Sequence, residues 1–237
     1  MHFRDRWFRM VKKILVWLSK QMPSCGTVWL LHECIVDMSQ ASDERYAVSV
    51  GAFEQLIQRK INENYKFCSL EEIRNSDEKS IFVTFDDGKD CIYREALPLL
   101  EKYHIPFCIF VITGRIGQEG YLSKEELLKL AACQLCTLGA HTVSHNKLRE
   151  CSPEKVRYEL IESKVALEKI VNYEIKYFAY PYGDIKATSW KDVRIAKKCH
   201  YSMAFSTLQC HINKLFIRHS FFIPRLNINN EYATLNG

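Results

Sequence analysis

The chain has 237 residues, of which 47% are hydrophobic, so it can bury a full core as one large α/β domain or as two small ones. The formal net charge of +5 is concentrated in residues 1–20, which hold six basic side chains and one acidic side chain, and the remainder is neutral. A neutral body argues against a nucleic-acid-binding protein, which would need a basic face.

The first twenty residues predict a helix with one apolar face and one basic face. Their longest apolar run, Ile14–Leu18, is too short to span a bilayer and short for the core of a signal peptide. Such a helix suits the surface of an anionic membrane, and packing on its own domain is the alternative. Met22-Pro-Ser-Cys25 breaks the helix. We therefore predict an N-terminal helical segment 1–25 and one further domain, 26–237.

Beyond residue 26, apolar strands alternate with amphipathic helices. Strands are predicted at 27–35, 65–68, 81–85, 107–112, 136–140, 176–180, 202–206 and 221–228. Helices are predicted from Ser49 through Ile61 and at 91–103, 123–133, 152–171 and 188–199. This alternation predicts parallel β-α units, and hence an α/β barrel or a doubly wound sheet. In both folds the functional groups stand at the carboxyl ends of the strands.

Helix ends carry recognisable caps. Ser49 is the predicted N-cap of a helix that turns Phe53, Leu56, Ile57 and Ile61 to one side. The segments 69–72 and 123–126 fit capping boxes, and Ser152-Pro153 opens the longest helix with proline at its favoured first position.

Polar groups stand at the carboxyl ends of four predicted strands, including Tyr180-Pro-Tyr-Gly183 at the end of the strand 176–180. Asp86 and Asp87 follow the strand 81–85 directly. Because like charges so close raise each other's pKa, the pair indicates a bound cation or a shared proton. An ordinary turn is the alternative. His141 and His145 with one carboxylate form a set typical of catalytic zinc or iron sites. His32 stands at the end of the first predicted strand. It is either a structural residue at the rim of the core or a catalytic group.

Cysteines are numerous but mostly unpaired in sequence. Among ten of them, only Cys133 and Cys136 form a C-x-x-C, and no second pair follows at zinc-finger spacing, which makes a zinc or redox role for this pair the weaker reading. Cys34, Cys68 and Cys108 lie in apolar runs and are typical of small core residues. Free thiols in this number indicate a reducing compartment.

Three segments together resemble the first three motifs of the polysaccharide deacetylase family, which is carbohydrate esterase family 4 with its NodB homology domain. They are Thr84-Phe-Asp-Asp-Gly88, His141-Thr-Val-Ser-His145 and Tyr180-Pro-Tyr182, in the family's order. The resemblance covers roughly residues 27–228. It implies a distorted (β/α)7 barrel for the domain 26–237.

The resemblance also implies a role for each residue. Asp87, His141 and His145 would bind the metal, and Asp86 would be the general base. The backbone N–H of Tyr182 would stabilise the oxyanion. His32 would be the catalytic acid, as in a rearranged branch that resembles poly-N-acetylglucosamine deacetylases, where this histidine comes from the N-terminal strand.

Two departures from the family's pattern concern the third motif and the C-terminus. The arginine that opens R-x-P-Y and braces the base is replaced by Ala179. We hypothesise that Arg225, in the last predicted strand, supplies the missing guanidinium, and a structural arginine is the alternative. The late D-x-x-D-W and L-x-H motifs are absent, which leaves the substrate pocket near the C-terminus unassigned.

These implications define an expected activity: a metal-dependent hydrolase that removes the N-acetyl group from an amino sugar and releases acetate. Zinc is the expected metal, with iron, cobalt and nickel as alternatives, and an N-acetylated carbohydrate is the expected partner. A catalytically impaired carbohydrate-binding protein on the same fold is one rival interpretation, and a metal-dependent amidase for a non-sugar amide is another.

The expected location is the cytoplasm, at the inner membrane face if residues 1–20 bind a membrane. The free cysteines support this expectation. Members of the family are often exported, which is the alternative.

Overall fold

The computed structural model describes residues 21–235 together with Met10, Ile14, Val16, Trp17 and Ser19. Most of the segment 1–20, for which a basic amphipathic helix is predicted, lies outside the described residues. That helix and the boundary between residues 25 and 26 therefore stay predictions. No helix in the described part of the chain combines the length and the apolarity that crossing a bilayer requires.

An all-parallel sheet forms the centre of the molecule. The strands are β1 Thr27–Leu31, β2 Glu33–Ile35, β3 Ala47–Ser49, β4 Lys66–Phe67, β5 Ser80–Phe85, β6 Phe107–Val111, β7 Cys136–Ala140, β8 Tyr177–Ala179, β9 Met203–Phe205 and β10 Leu226–Asn227. The main sheet runs β10-β1-β5-β6-β7-β8-β9, with β4 paired to the start of β5. β2 and β3 pair separately. The sheet is covered on both faces, as parallel sheets generally are.

The segment 223–227 closes the sheet into a barrel. Ile223 forms a parallel bridge with Phe205 of β9, and Leu226 pairs with Trp29 of β1. Each edge of the sheet therefore finds a partner in this one irregular segment. Within the described residues it acts as the seventh strand beside β1, β5, β6, β7, β8 and β9, which confirms the predicted distorted (β/α)7 barrel over a doubly wound sheet.

The helices are α1 Val50–Asn62, α2 Leu97–Lys102, α3 Lys124–Ala132, α4 Pro153–Val171, α5 Trp190–Lys198, α6 Lys214–Arg218 and α7 Asn230–Leu235. The predicted caps are confirmed, since Ser49 accepts the N–H of Ala52, and Ser123 forms a capping box with Glu126. Ser152 caps α4 ahead of Pro153, and the left-handed Asn172 ends it.

Two local predictions need correction. Ile61 is 41% exposed, because it lies in the last turn of α1, beyond the part that packs on the sheet. The capping box predicted at 69–72 is confirmed, and it precedes a 3₁₀ helix, Leu70–Asn75. The predicted strand 27–35 is interrupted at His32, where the chain leaves the main sheet and pairs with β3 instead. The helices α6 and α7 are not among the predicted helices, because each is too short to show a helical hydrophobic pattern in the sequence.

Alternation along the strands divides the core into two layers. One layer lies between the sheet and the helices, and the other fills the barrel interior. On β5, Phe82 belongs to the interior layer, whereas Val83 and Phe85 face the helices. Because side chains alternate with a period of two, Thr84 and then Asp86 continue the interior row. The strand thus delivers a carboxylate to the mouth of the barrel.

Candidate metal and catalytic site

The carboxyl ends of the strands surround a cleft of about 760 Å³. It is lined by six of the seven predicted site residues, namely His32, Asp86, Asp87, His141, His145 and Tyr182. Arg225, the seventh, lies beneath them and is fully buried. The structure therefore brings together every residue that the sequence singled out, from strands that are far apart in the chain.

Asp86 is held in place by Arg225. Its carboxylate is 1% exposed and accepts two parallel hydrogen bonds from the guanidinium, Nη1 to Oδ1 and Nη2 to Oδ2, each 2.7 Å long. The same guanidinium donates to Thr84 Oγ1 at 3.1 Å and to the carbonyl of Ser206 at 2.9 Å. A guanidinium from the barrel-closing segment thus holds Asp86, whereas the position of the family's arginine is Ala179.

This pairing controls the charge of Asp86. Burial by itself raises the pKa of Asp86, but the charge of Arg225, together with His141 and the hydrogen bonds from Arg225, outweighs it and lowers the pKa to about 2. Asp86 is consequently a carboxylate at neutral pH, with a fixed orientation toward the cleft.

Asp87 takes a different path at the same turn. Its backbone is left-handed, with φ of 71°, and Gly88 follows with φ of 72°. A side chain at Gly88 would press on Val111, since a Cβ there would lie 3.2 Å from Cγ1. The buried Oδ1 of Asp87 has no hydrogen-bond partner within the described residues. Burial raises the pKa of Asp87, with the charge of Asp86 adding to it and that of His32 opposing it.

His141 and His145 face this unpartnered oxygen. Oδ1 of Asp87 lies 3.6 Å from Nε2 of His141 and 3.5 Å from Nε2 of His145. Nδ1 of His141 lies 2.8 Å from the carbonyl of Ala179, which fixes the ring with Nε2 toward the cleft. Burial, the largest influence, lowers the pKa of His141 to about 3 and also lowers that of His145. Both imidazoles are therefore neutral at pH 7.

These three residues fit a divalent cation. One ligand atom from each of Asp87, His141 and His145 lies within 4.8 Å of the others. Neutral imidazoles and a carboxylate are the ligands of many catalytic transition-metal sites. A cation would also satisfy the buried oxygen that is otherwise unpartnered.

His32 and Tyr182 line the same cleft as this group. The ring of His32 packs against Tyr46 with 4.9 Å between centroids, and its buried Nδ1 has no hydrogen-bond partner in the part of the chain described. Tyr182 has a φ of 59°, and its ring lies 4.8 Å from that of His145. Tyr46 also lines the cleft and has no signal in the sequence, because it stands in a polar loop with no motif around it.

The Cys133 and Cys136 pair has no comparable surroundings. Burial raises the pKa of Cys136 well above its ordinary value, which is the opposite of a reactive thiolate. All ten cysteines are free thiols, and Cys34 and Cys108 are buried in the core as predicted, whereas Cys68 is half-buried.

The fold and the site thus define a parallel α/β barrel with a candidate cation site at the strand ends, and the chain is similar to known proteins. The model of the family described as "Polysaccharide deacetylase" matches residues 73–204. A poly-beta-1,6-N-acetyl-D-glucosamine N-deacetylase of Staphylococcus aureus is 29% identical over 207 residues, which cover 79% of this chain and 70% of that protein.

Two solved structures have the same fold. IcaB from Ammonifex degensii matches with a TM-score of 0.75 and 25% identity, over 88% of this chain and 94% of that one. The deacetylase PplD of Streptococcus pyogenes, solved with acetate, matches with a TM-score of 0.77 and 24% identity, over 89% and 97%. The chain belongs to the polysaccharide deacetylase family.

The Asp86–Arg225 pair yields a stability prediction. We expect Arg225→Met to destabilise the protein by about 3–5 kcal/mol, because it leaves the Asp86 carboxylate buried without a partner. The free energy of unfolding in urea measures this loss, with Arg218→Met on the exposed end of α6 as the control.

A double variant, Asp86→Leu with Arg225→Met, removes both charges and should recover much of the loss. If Arg225→Met and Arg218→Met unfolded at the same urea concentration, Arg225 would have no such role.

Proposed function

We propose that this chain is a metal-dependent N-deacetylase that hydrolyses the acetamido group of an amino sugar in a polysaccharide or glycoconjugate, giving acetate and a free amine. The observation that carries the proposal is the buried Asp86–Arg225 pair beside the Asp87, His141 and His145 group. Membership of the polysaccharide deacetylase family and the named activity of the Staphylococcus aureus relative support it.

Asp87, His141 and His145 would hold the cation, in the roles that the resemblance implied. A divalent cation there would supply Lewis acidity, so that water loses a proton near neutral pH and the acetyl carbonyl becomes a better electrophile. Zinc is the metal we propose, because neutral imidazoles with a carboxylate suit it, and iron, cobalt and nickel are the alternatives.

Asp86 would accept the proton of the attacking water. Its low pKa keeps it ionised, and the two hydrogen bonds from Arg225 hold its carboxylate at the mouth of the barrel. We propose that Arg225 braces the base from the last strand. A brace of this kind stabilises one orientation of the carboxylate, so the base needs no reorganisation when the water attacks.

Bond cleavage needs a proton on the nitrogen and a stabilised oxygen. When the water oxygen bonds to the acetyl carbon, the C–N bond breaks productively only if the leaving amine takes up a proton, and we propose His32 as its donor. The backbone N–H of Tyr182 would donate to the acetyl oxygen as negative charge develops there. His32 and Tyr182 both line the cleft together with Asp87.

The rival interpretation as a binding protein rested on the departure at Ala179. In the structure a guanidinium nevertheless reaches Asp86, and the Ala179 carbonyl accepts a hydrogen bond from His141. The departure therefore no longer favours a loss of catalysis.

We also propose a reducing compartment, in accord with the ten free thiols. Peripheral membrane contact would come from residues 1–20. Fractionation of cells that produce the chain would place it in the cytosol or at the inner membrane face; recovery in the medium would contradict both.

Metal content tests the proposal without any choice of substrate. We expect about one equivalent of zinc in the purified protein and none in Asp87→Ala, since two imidazoles alone hold the cation weakly. Elemental analysis measures both. Asp90→Ala, a nearby carboxylate outside the cleft lining, is the matched control and should keep the metal. An equal metal content in Asp87→Ala and wild type would contradict the ligand assignment.

Turnover tests the assignment of Asp86 as the base. We expect Asp86→Asn to keep its metal but to lose about 10²–10⁴-fold in the rate of acetate release from an N-acetylglucosamine oligomer, because an amide accepts no proton from water. Asp90→Asn serves as the control, with wild-type rates expected. Substantial turnover by Asp86→Asn would remove Asp86 as the base.

A further inference from the structure

Glu159 of α4 is a fully buried carboxylate that the mechanism above does not use. Glutamate is almost never fully buried unless its charge is paired. Its Oε2 accepts the backbone N–H groups of Val143 at 2.8 Å and Ser144 at 2.9 Å. Its Oε1 accepts the Ser144 hydroxyl at 2.5 Å and Lys155 Nζ at 2.9 Å. Three of these four donors belong to one short loop.

That loop is the connection between the two candidate metal ligands His141 and His145. Its backbone is left-handed at Thr142, with φ of 65°, and at His145, with φ of 56°. A non-glycine residue in this region is strained, and the strain persists only where the surroundings impose it. The hydrogen bonds to Glu159 are therefore contacts that can hold the loop in this strained backbone conformation.

The two histidines differ in how they are fixed. His141 continues β7, donates its N–H to the carbonyl of Val111 at 2.9 Å and has its ring held by Ala179. The N–H of His145 donates to Thr142 Oγ1, at 3.0 Å, which is itself part of the loop. The position of His145 thus depends on the loop.

Glu159 is a firm point of attachment for that loop. It lies in the 19-residue helix α4, whose neighbouring residues Val156 and Leu160 are buried in the core. On the opposite side of the loop, the N–H of Gly114 donates to the carbonyl of Val143 at 3.0 Å. A Cβ at Gly114 would lie 2.5 Å from that oxygen, so the loop has no room to move toward Gly114 if a side chain is added there.

We propose that Glu159 is a positioning residue of the metal site: it holds the loop 142–144 in its strained form, so that Nε2 of His145 faces the same point as Asp87 and His141. This inference rests on the proposed function, because it presumes that those three residues bind a cation. Groups that orient metal ligands commonly change metal affinity about 10–100-fold when they are removed.

The reach of the side chain, rather than its charge, should matter. Asp at this position keeps the charge but is one methylene too short to accept both N–H groups. Gln keeps the reach, since its carbonyl oxygen can replace Oε2 and its amide can donate to Ser144 Oγ.

The experiment titrates Zn²⁺ into the metal-free full-length protein and measures the Kd by calorimetry, without any substrate. We expect Glu159→Asp to bind Zn²⁺ about 10–100-fold more weakly than wild type, and Glu159→Gln to stay close to wild type. Glu162→Asp, the same change at an exposed site in α4, is the control and should leave the Kd unaltered. Urea unfolding of the metal-free proteins shows that each variant is folded during the titration.

Equal Zn²⁺ affinity in Glu159→Asp and wild type would overturn the proposal, as would Glu159→Gln binding as weakly as Glu159→Asp. If Glu159→Asp does not fold, Gly114→Ala displaces the same loop from the other side, and an unchanged Kd there would overturn the proposal. A wild-type chain that binds no Zn²⁺ would overturn the metal site itself, and the two failures are thereby distinguished.

Discussion

The ion pair between Asp86 and Arg225 links the barrel to its site. Removing two charges from water is costly, and only good geometry with further hydrogen bonds offsets that cost. Here the guanidinium forms two parallel bonds to Asp86 and two more to Thr84 and Ser206. Arg225 stands between Ile223, which pairs with β9, and Leu226, which pairs with β1. The residue that orients the proposed base therefore belongs to the segment that closes the sheet.

Backbone strain is concentrated around the same cleft. Of the eight described non-glycine residues with positive φ, four stand here, namely Asp87, Thr142, His145 and Tyr182. At Asp86 the ordinary alternation of β5 continues into the barrel, and the left-handed turn at Asp87 sends the next carboxylate toward the histidines. Two adjacent acids thereby acquire different partners, which is the arrangement that separate roles in catalysis require.

A family motif can be preserved in space when it is altered in sequence. The position of the usual arginine is Ala179, whose carbonyl orients His141, and the guanidinium arrives from the last strand. Because a barrel brings every strand end to one mouth, a side chain from one strand can take the place of another's. A single altered motif residue is consequently weak evidence against activity in this fold.

The sequence alone determined what depends on local pattern: strand and helix order, the caps at Ser49 and Ser152, and the residues that reach the strand ends. Period-two and period-3.6 patterns and cap chemistry act within a few residues, so they can be read without the fold. Only the tertiary structure decided which groups meet. Arg225 lies 139 residues from Asp86, Tyr46 comes from a patternless loop, and Glu159 looks like any helical glutamate until its buried partners are seen. Such contacts depend on barrel closure and helix packing, and no local pattern encodes them.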